Sequence, residues 1–252
     1  DYLGSTLYYP IDAEGPFSSL ILVPGFVSPE SALSSWGPYL ASHGIVVMTI
    51  GTNTLTDLPL DRANALLDAF VTLEEENNRE NSPVFQQIDI NKISVGGHSM
   101  GGGGAQIAAT IDDGLKSVIS LNPWIQPWLV DYDYLDHSTP LLIISGEDDT
   151  TANVNEHANV HYDYTPNTTP KAIYEIENGN HSTGRFPSTA NNYVGKIVLS
   201  WLNYFADDND CYFPLILEYP EQASIYQNNL ETFSFDDNQH SLLNFYPNPV
   251  ID

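Results

Sequence analysis

The residues with the clearest chemical potential lie at Gly97-His98-Ser99-Met100-Gly101, a G-x-S-x-G pentapeptide inside GGHSMGGGG. A serine at this spacing acts as a nucleophile when a sharp strand-to-helix turn lifts its hydroxyl above a sheet. Small residues two before and two after it keep the turn free of collisions. The pentapeptide is short, so its setting matters: the apolar run KISVG precedes it and the helical stretch MGGGGAQIAATIDD (100–113) follows. Four glycines after Met100 are costly in an ordinary helix. They imply close approach of this helix to the sheet or to a ligand, and its N-terminus favours negative charge developing nearby.

A nucleophilic serine needs a base, and the base needs an orienting carboxylate. In a fold with this elbow the chain order is Ser, then Asp or Glu, then His. The run PLLIISGED (140–148) leads into Glu147-Asp148-Asp149, at a strand's C-terminal end, where open α/β sheets bind ligands. Asp149 is the expected carboxylate, because Glu147 and Asp148 lie nearer the strand end and serve the turn or face solvent. Of the downstream histidines His157, His161, His181 and His240, His181 is the expected base, since it follows KAIYEIE and the turn Asn178-Gly179-Asn180. His157 and His161 have i,i+4 spacing that suits a metal, yet they lack the glutamate of H-E-x-x-H and read as a solvated helix face. His240 lies outside the core, His43 reads as structural before the helix-ending Gly44, and His98 fills a permissive position.

Acyl transfer also needs two N–H groups aimed at the developing oxyanion. Met100, directly after the nucleophile, is one expected donor; Phe26, in the loop that closes LVPGF, is the other. The Phe26 ring and Trp124, in LNPW, are expected to face each other across a cleft, with burial in the core the alternative for Trp124.

The elements that must position these groups alternate along the chain. Apolar runs at 18–26, 45–53, 92–97, 116–124, 140–148 and 171–179 read as strands; 36–44, 61–78, 100–113, 153–164 and 191–208 read as helices. That alternation predicts an α/β fold with a mainly parallel sheet. The runs are continuous, as expected when helices cover both faces. We expect a catalytic domain over 1–215, an extension or linker over 216–243, and a distinct terminal segment at 244–252. With 252 residues the chain can bury a large core.

Seven Lys and Arg against 33 Asp and Glu give a net charge of −26, which repels phosphate backbones and anionic lipid and excludes nucleic acid as an expected partner. The acidity reads as an aid to solubility, with cation binding by some carboxylates as the alternative. No run of 18 apolar residues is present, so no membrane span is expected. A single cysteine, Cys211, forms no intrachain disulfide and reads as a packing residue.

Taken together, STLYYP, LVPGF, WGPYLASHGIVV, TNTLTDLP with Arg62, GGHSMGGGG, NPW, GEDDTTANVN, EIENGNHS and WLNYFADDND resemble the cutinase-type polyester hydrolases, including bacterial poly(ethylene terephthalate) hydrolases. The resemblance spans about residues 3–212 and implies the α/β-hydrolase fold without a large lid. It implies a Ser99, Asp149 and His181 triad, an oxyanion hole of Phe26 and Met100, and Trp124 as an aromatic clamp. It also puts Thr151 and Ser182 beside the substrate. The family commonly has tyrosine in place of Phe26, an apolar residue in place of Thr151 and, in many cutinases, phenylalanine in place of Ser182. The segment 125–137 is longer than the family's, so Trp128 competes with Trp124 for the clamp, and the family's C-terminal disulfide cannot form. Glu147 and Glu177 match positions where some cutinases hold calcium; otherwise no metal and no cofactor is expected.

The tail NFYPNPVID (244–252) is similar to the start of a type IX secretion sorting domain of Bacteroidetes, which implies an extracellular destination. The sequence thus leads to the expectation of a secreted, monomeric serine ester hydrolase for polyesters. A small-ester esterase, lipase or dienelactone-hydrolase relative is the rival within enzymes, and a non-catalytic binding module on the same fold is the rival outside them.

Overall fold

Apolar runs flanked by helical segments fold as one sheet with helices on both faces. The computed structural model describes residues 1–125 and 132–233. Among them are strands β1 (Ser5–Tyr8), β2 (Phe17–Val23), β3 (Val46–Ile50), β4 (Ile88–His98), β5 (Val118–Leu121), β6 (Leu141–Gly146), β7 (Lys171–Ile176) and β8 (Ala223–Asn228). The sheet order is β1-β3-β2-β4-β5-β6-β7-β8. Strands β2 to β7 run parallel, and only the edges, β1 on β3 and β8 on β7, are antiparallel. The architecture is that of an α/β hydrolase.

Alternate residues of each central strand feed two separate apolar layers, as the twofold period of a strand requires. Ile21 and Val23 of β2 with Leu141 and Ile143 of β6 face one layer, covered by α2 (Pro59–Asn78), α3 (Met100–Ile111) and α4 (Ala158–Tyr164). Leu20, Leu22, Leu142 and Ile144 face the other, covered by α1 (Trp36–Ala41), α5 (Tyr193–Phe205) and α6 (Phe213–Leu217). Trp36 and Trp201 anchor that second layer, both fully buried. Two-sided burial is why these strands carry unbroken apolar runs.

Helix α2 starts where the sequence supplies a start signal: Pro59 stands in its first turn, and Asp61 accepts the Leu58 N–H at 3.0 Å. Helix α3 begins on the residue after Ser99, with no loop between it and β4.

Two expectations need correction here. The folded unit does not end near residue 215, because α6 and β8 follow it and β8 pairs with β7 in the sheet. An edge strand with one wet side carries polar residues such as Ser224 and Gln227, which disguised it as a linker, although Tyr226 packs edge-to-face on Tyr174. The same edge effect concealed β1. Cys211 is not packed; its thiol is free and exposed in a short turn among polar neighbours. The expected terminal segment 244–252 and Trp128 lie outside the described residues.

Ile143 lies at the centre of β6 with no exposed surface. Ile143→Ala is expected to lower unfolding free energy by about 2–5 kcal/mol, measured by urea denaturation, with turnover per folded molecule unchanged at room temperature.

Candidate active site

The last residues of β4 and the first of α3 form a turn too sharp for ordinary backbone. Ser99 takes φ 56° and ψ −121°, a conformation that costs a non-glycine residue about 1–3 kcal/mol. Its N–H donates to the Leu121 carbonyl at 2.9 Å, and its own carbonyl accepts from Gly102, Gly103 and Trp124 at 2.9, 3.1 and 2.9 Å. These bonds hold the turn. A Cβ on Gly97 would stand 2.4 Å from the Gly101 backbone, and one on Gly101 would stand 2.2 Å from the Val23 carbonyl. The glycines that look wasteful for a helix therefore let α3 lie against the end of β2.

Above the turn the side chains form a continuous hydrogen-bond relay. Ser99 Oγ donates to His181 Nε2 at 3.0 Å, and His181 Nδ1 donates to Asp149 Oδ2 at 2.7 Å. Asp149 is 2% exposed and accepts three further donors. Asn122 Nδ2 reaches its Oδ2 at 3.1 Å, and the Thr151 and Ala152 N–H groups reach its Oδ1 at 2.9 and 2.8 Å. Burial works against ionising Asp149, yet the bonds from His181, Ala152 and Thr151 outweigh it and hold its pKa below the usual carboxylate range. A carboxylate so held can orient the imidazole and stabilise its cation.

The expected oxyanion donors lie on either side of the serine in sequence and space. Met100 N–H heads α3, and the loop carrying Phe26 runs so close that a Cβ on Gly25 would stand 2.7 Å from Ser99 Cβ. Among the described residues neither the Phe26 nor the Met100 N–H has an acceptor. Phe26 is 49% exposed. Trp124 is held beside the nucleophile by its N–H bond to Ser99, and its half-buried ring is stacked on His157 at 5.6 Å. Thr151 and Ser182, flanking Asp149 and His181, are exposed. This arrangement can add a serine oxygen to a carbonyl, move its proton to imidazole and receive the resulting oxyanion.

Two positions were undervalued by sequence reasoning. His98, placed at a permissive position, donates its Nε2–H to the His181 carbonyl at 2.6 Å, with the two rings 4.8 Å apart. Asn122 went unnoticed; it takes φ 43° at the end of β5, where its side chain also accepts the Gly184 N–H at 2.8 Å. The available signal was an asparagine just after a strand and before proline, a residue type that tolerates left-handed backbone.

His157 and His161 are a correction: both are buried, not solvated. His157 Nδ1 accepts the Ile125 N–H at 3.2 Å, and His161 Nδ1 accepts from Gln106 Nε2 at 2.7 Å. His157 is the N-cap residue of α4 and His161 lies within it, on the side packed against the layer shared with α3, where among the described residues the His161 ring is bonded through Nδ1 alone. Glu147 Oε2 accepts the Asn178 N–H at 2.9 Å. Among the described residues no three His, Cys, Asp or Glu side chains converge as a metal site would require.

The chain is similar over most of its length to known proteins. The family model described as PETase, PET hydrolase-like, matches residues 1–233. The bis(hydroxyethyl) terephthalate hydrolase of Streptomyces coelicolor is 37% identical over 221 residues, 87% of this chain and 67% of that protein. Cutinase est1 of Thermobifida alba is 35% identical over 212 residues, 83% of this chain and 67% of that protein. A cutinase of Thermobifida fusca is 34% identical over 220 residues, 87% and 69% of the two chains.

Buried neutral histidines make stability depend on pH. Burial pushes the pKa of His98 and His161 down to about 3 and that of His137 to about 4. In the unfolded chain each takes up a proton near its ordinary value of about 6.5, so below that pH the unfolded state binds more protons. Stability is therefore lost as pH falls, by about 1.4 kcal/mol per pH unit for each histidine; the depressed Asp149 pKa acts in the same direction. Urea titrations from about pH 6 to about pH 4.5 should show a slope of two protons or more. A slope below one would contradict the neutral burial of these rings.

Proposed function

The chain belongs to the PET hydrolase-like family, and on that premise we propose that it is a serine ester hydrolase that cleaves polyesters through an acyl-enzyme. The observation that carries this reading is the unbroken relay from Ser99 through His181 to buried Asp149, set beside two N–H groups that have no acceptor among the described residues. Ser99 Oγ attacks the ester carbonyl carbon while His181 Nε2 takes its proton. The carbonyl electron pair becomes an oxyanion facing the Phe26 and Met100 N–H groups. When the C–O bond breaks, His181 returns the proton to the leaving alcohol. Water, activated by the same imidazole, then attacks the acyl-enzyme and releases the acid. Asp149 keeps Nδ1 protonated and stabilises the imidazolium without itself taking the proton.

Exposed Phe26, together with Trp124, would form the walls that hold the chain, with Thr151 and Ser182 at the rim. Exposure of Phe26, Thr151 and Ser182 at the rim favours a long polymer over a small enclosed ester. The names of the relatives, a bis(hydroxyethyl) terephthalate hydrolase and cutinases, support the same substrate class. The reaction so written calls on no cofactor, and calcium at Glu147 or Glu177 would act on stability, outside the chemistry. We take the enzyme to act as a monomer, outside the cell, by the type IX route that residues 244–252 resemble. The net charge of −26 supports the absence of nucleic acid among its partners. Among the described residues no helix is long and apolar enough to cross a membrane.

Incubation with poly(ethylene terephthalate) or aliphatic polyester film, followed by chromatography of the soluble products, tests the proposal. The parent should release acid and alcohol monomers, and Ser99→Ala should reduce release and p-nitrophenyl butyrate turnover by about 10⁴-fold or more. Turnover of the small ester with no film product would select the small-ester rival. A parent inactive on both would sink the enzyme reading.

A further inference from the structure

Arg62 sits where a cation is least expected. It lies in the first turn of α2, whose dipole disfavours positive charge; it has no exposed surface; and among the described residues no carboxylate lies within ion-pair distance of it. A buried guanidinium is costly unless its donors are satisfied. Here each nitrogen finds a main-chain carbonyl: Nη1 donates to Pro24 at 2.7 Å, Nε to Asp57 at 3.0 Å and Nη2 to Leu55 at 3.4 Å.

Those three carbonyls belong to two loops, and one of the loops carries Phe26. The Pro24 carbonyl precedes Gly25 and Phe26; on the far side the Val27 N–H donates to the Leu55 carbonyl at 2.7 Å, with Val27 at φ 54°. Both anchors of the Phe26 peptide therefore lead back to Arg62, one directly and one through Leu55. The helix carrying the nucleophile is built to admit this arrangement. A Cβ on Gly104 of α3 would stand 2.9 Å from Arg62 Cβ and 2.8 Å from the Pro59 carbonyl.

We propose that Arg62 is a positioning residue that aims the Phe26 N–H at the oxyanion by tying the Pro24–Val27 loop to the Leu55–Asp57 loop. It touches no substrate atom and takes no part in proton transfer. The inference rests on Phe26 as an oxyanion donor, so its test must separate failure of that reading from failure of its own.

An alkyl trifluoromethyl ketone does so, because Ser99 Oγ adds to its carbonyl carbon, the serine proton moves to His181 and a stable oxyanion forms in the hole. Arg62→Met and Arg62→Lys are compared with the parent on p-nitrophenyl butyrate and on this inhibitor, well below each protein's melting temperature. Arg62→Met should lower kcat about 10- to 100-fold with KM within about threefold, and weaken the ketone by a matching factor. Arg62→Lys, which keeps one charged donor, should lose less on both measures; if Arg62→Met does not fold, a loss of about fivefold or more in kcat and in ketone affinity for Arg62→Lys supports the inference. Folded variants with lower melting temperature but parental kcat and ketone affinity would overturn it and leave Arg62 a purely structural staple. A parent that does not bind the ketone would overturn the oxyanion reading, and this inference with it.

Discussion

The reversal of chain direction at Ser99 is the constraint from which most of the molecule follows. A serine at φ 56° and ψ −121° is held only if its surroundings over-determine it. Here the Leu121 carbonyl, the first turn of α3 and the Trp124 N–H all bond its backbone. That turn forces α3 down onto the ends of β2 and β4, and the contact leaves no room for Cβ atoms at Gly97 and Gly101. Because α3 lies so low, the β2 loop passes within van der Waals reach of Ser99, and Phe26, the proposed oxyanion donor, comes with it. Local strain is converted into placement.

Electrostatics complete what the turn begins. Asp149 stays ionised in a dry setting because four donors converge on its two oxygens, from β5, from its own loop and from His181. Asn122 adds a second donor to the oxygen that faces His181. His98 fixes the His181 main chain by donating to its carbonyl, and burial keeps the His98 ring neutral beside the proposed base. The positioning groups thus come from strand ends and their loops, where a parallel sheet gathers side chains from distant sequence.

The chemistry was more legible in the sequence than the edges of the fold were. Continuous apolar runs announce strands buried on two faces, so β2 to β7 and the order Ser99, Asp149, His181 could be read directly. β1 and β8 have one wet side and therefore carry mixed residues, which is why residues 223–228 passed for a linker. His157 and His161 misled for the opposite reason. Their polarity suggests solvent, yet Ile125 and Gln106 supply bonds inside the protein that no periodicity reveals. Asn122 and Arg62 were equally silent in function, because their work is done on main-chain groups and on a carboxylate from other elements. The large acidic excess, in contrast, says much about partners and nothing about the fold.

In the proposed mechanism the strained turn presents Ser99 as the nucleophile and His181 draws off its proton. Covalent trapping tests it most directly. After incubation with an alkyl p-nitrophenyl phosphonate, peptide mass spectrometry should find one adduct per chain on Ser99. Esterase activity should be lost in proportion to labelling, and His181→Ala should label far more slowly. An adduct on another residue, or full activity in a chain labelled at Ser99, would rule Ser99 out as the nucleophile.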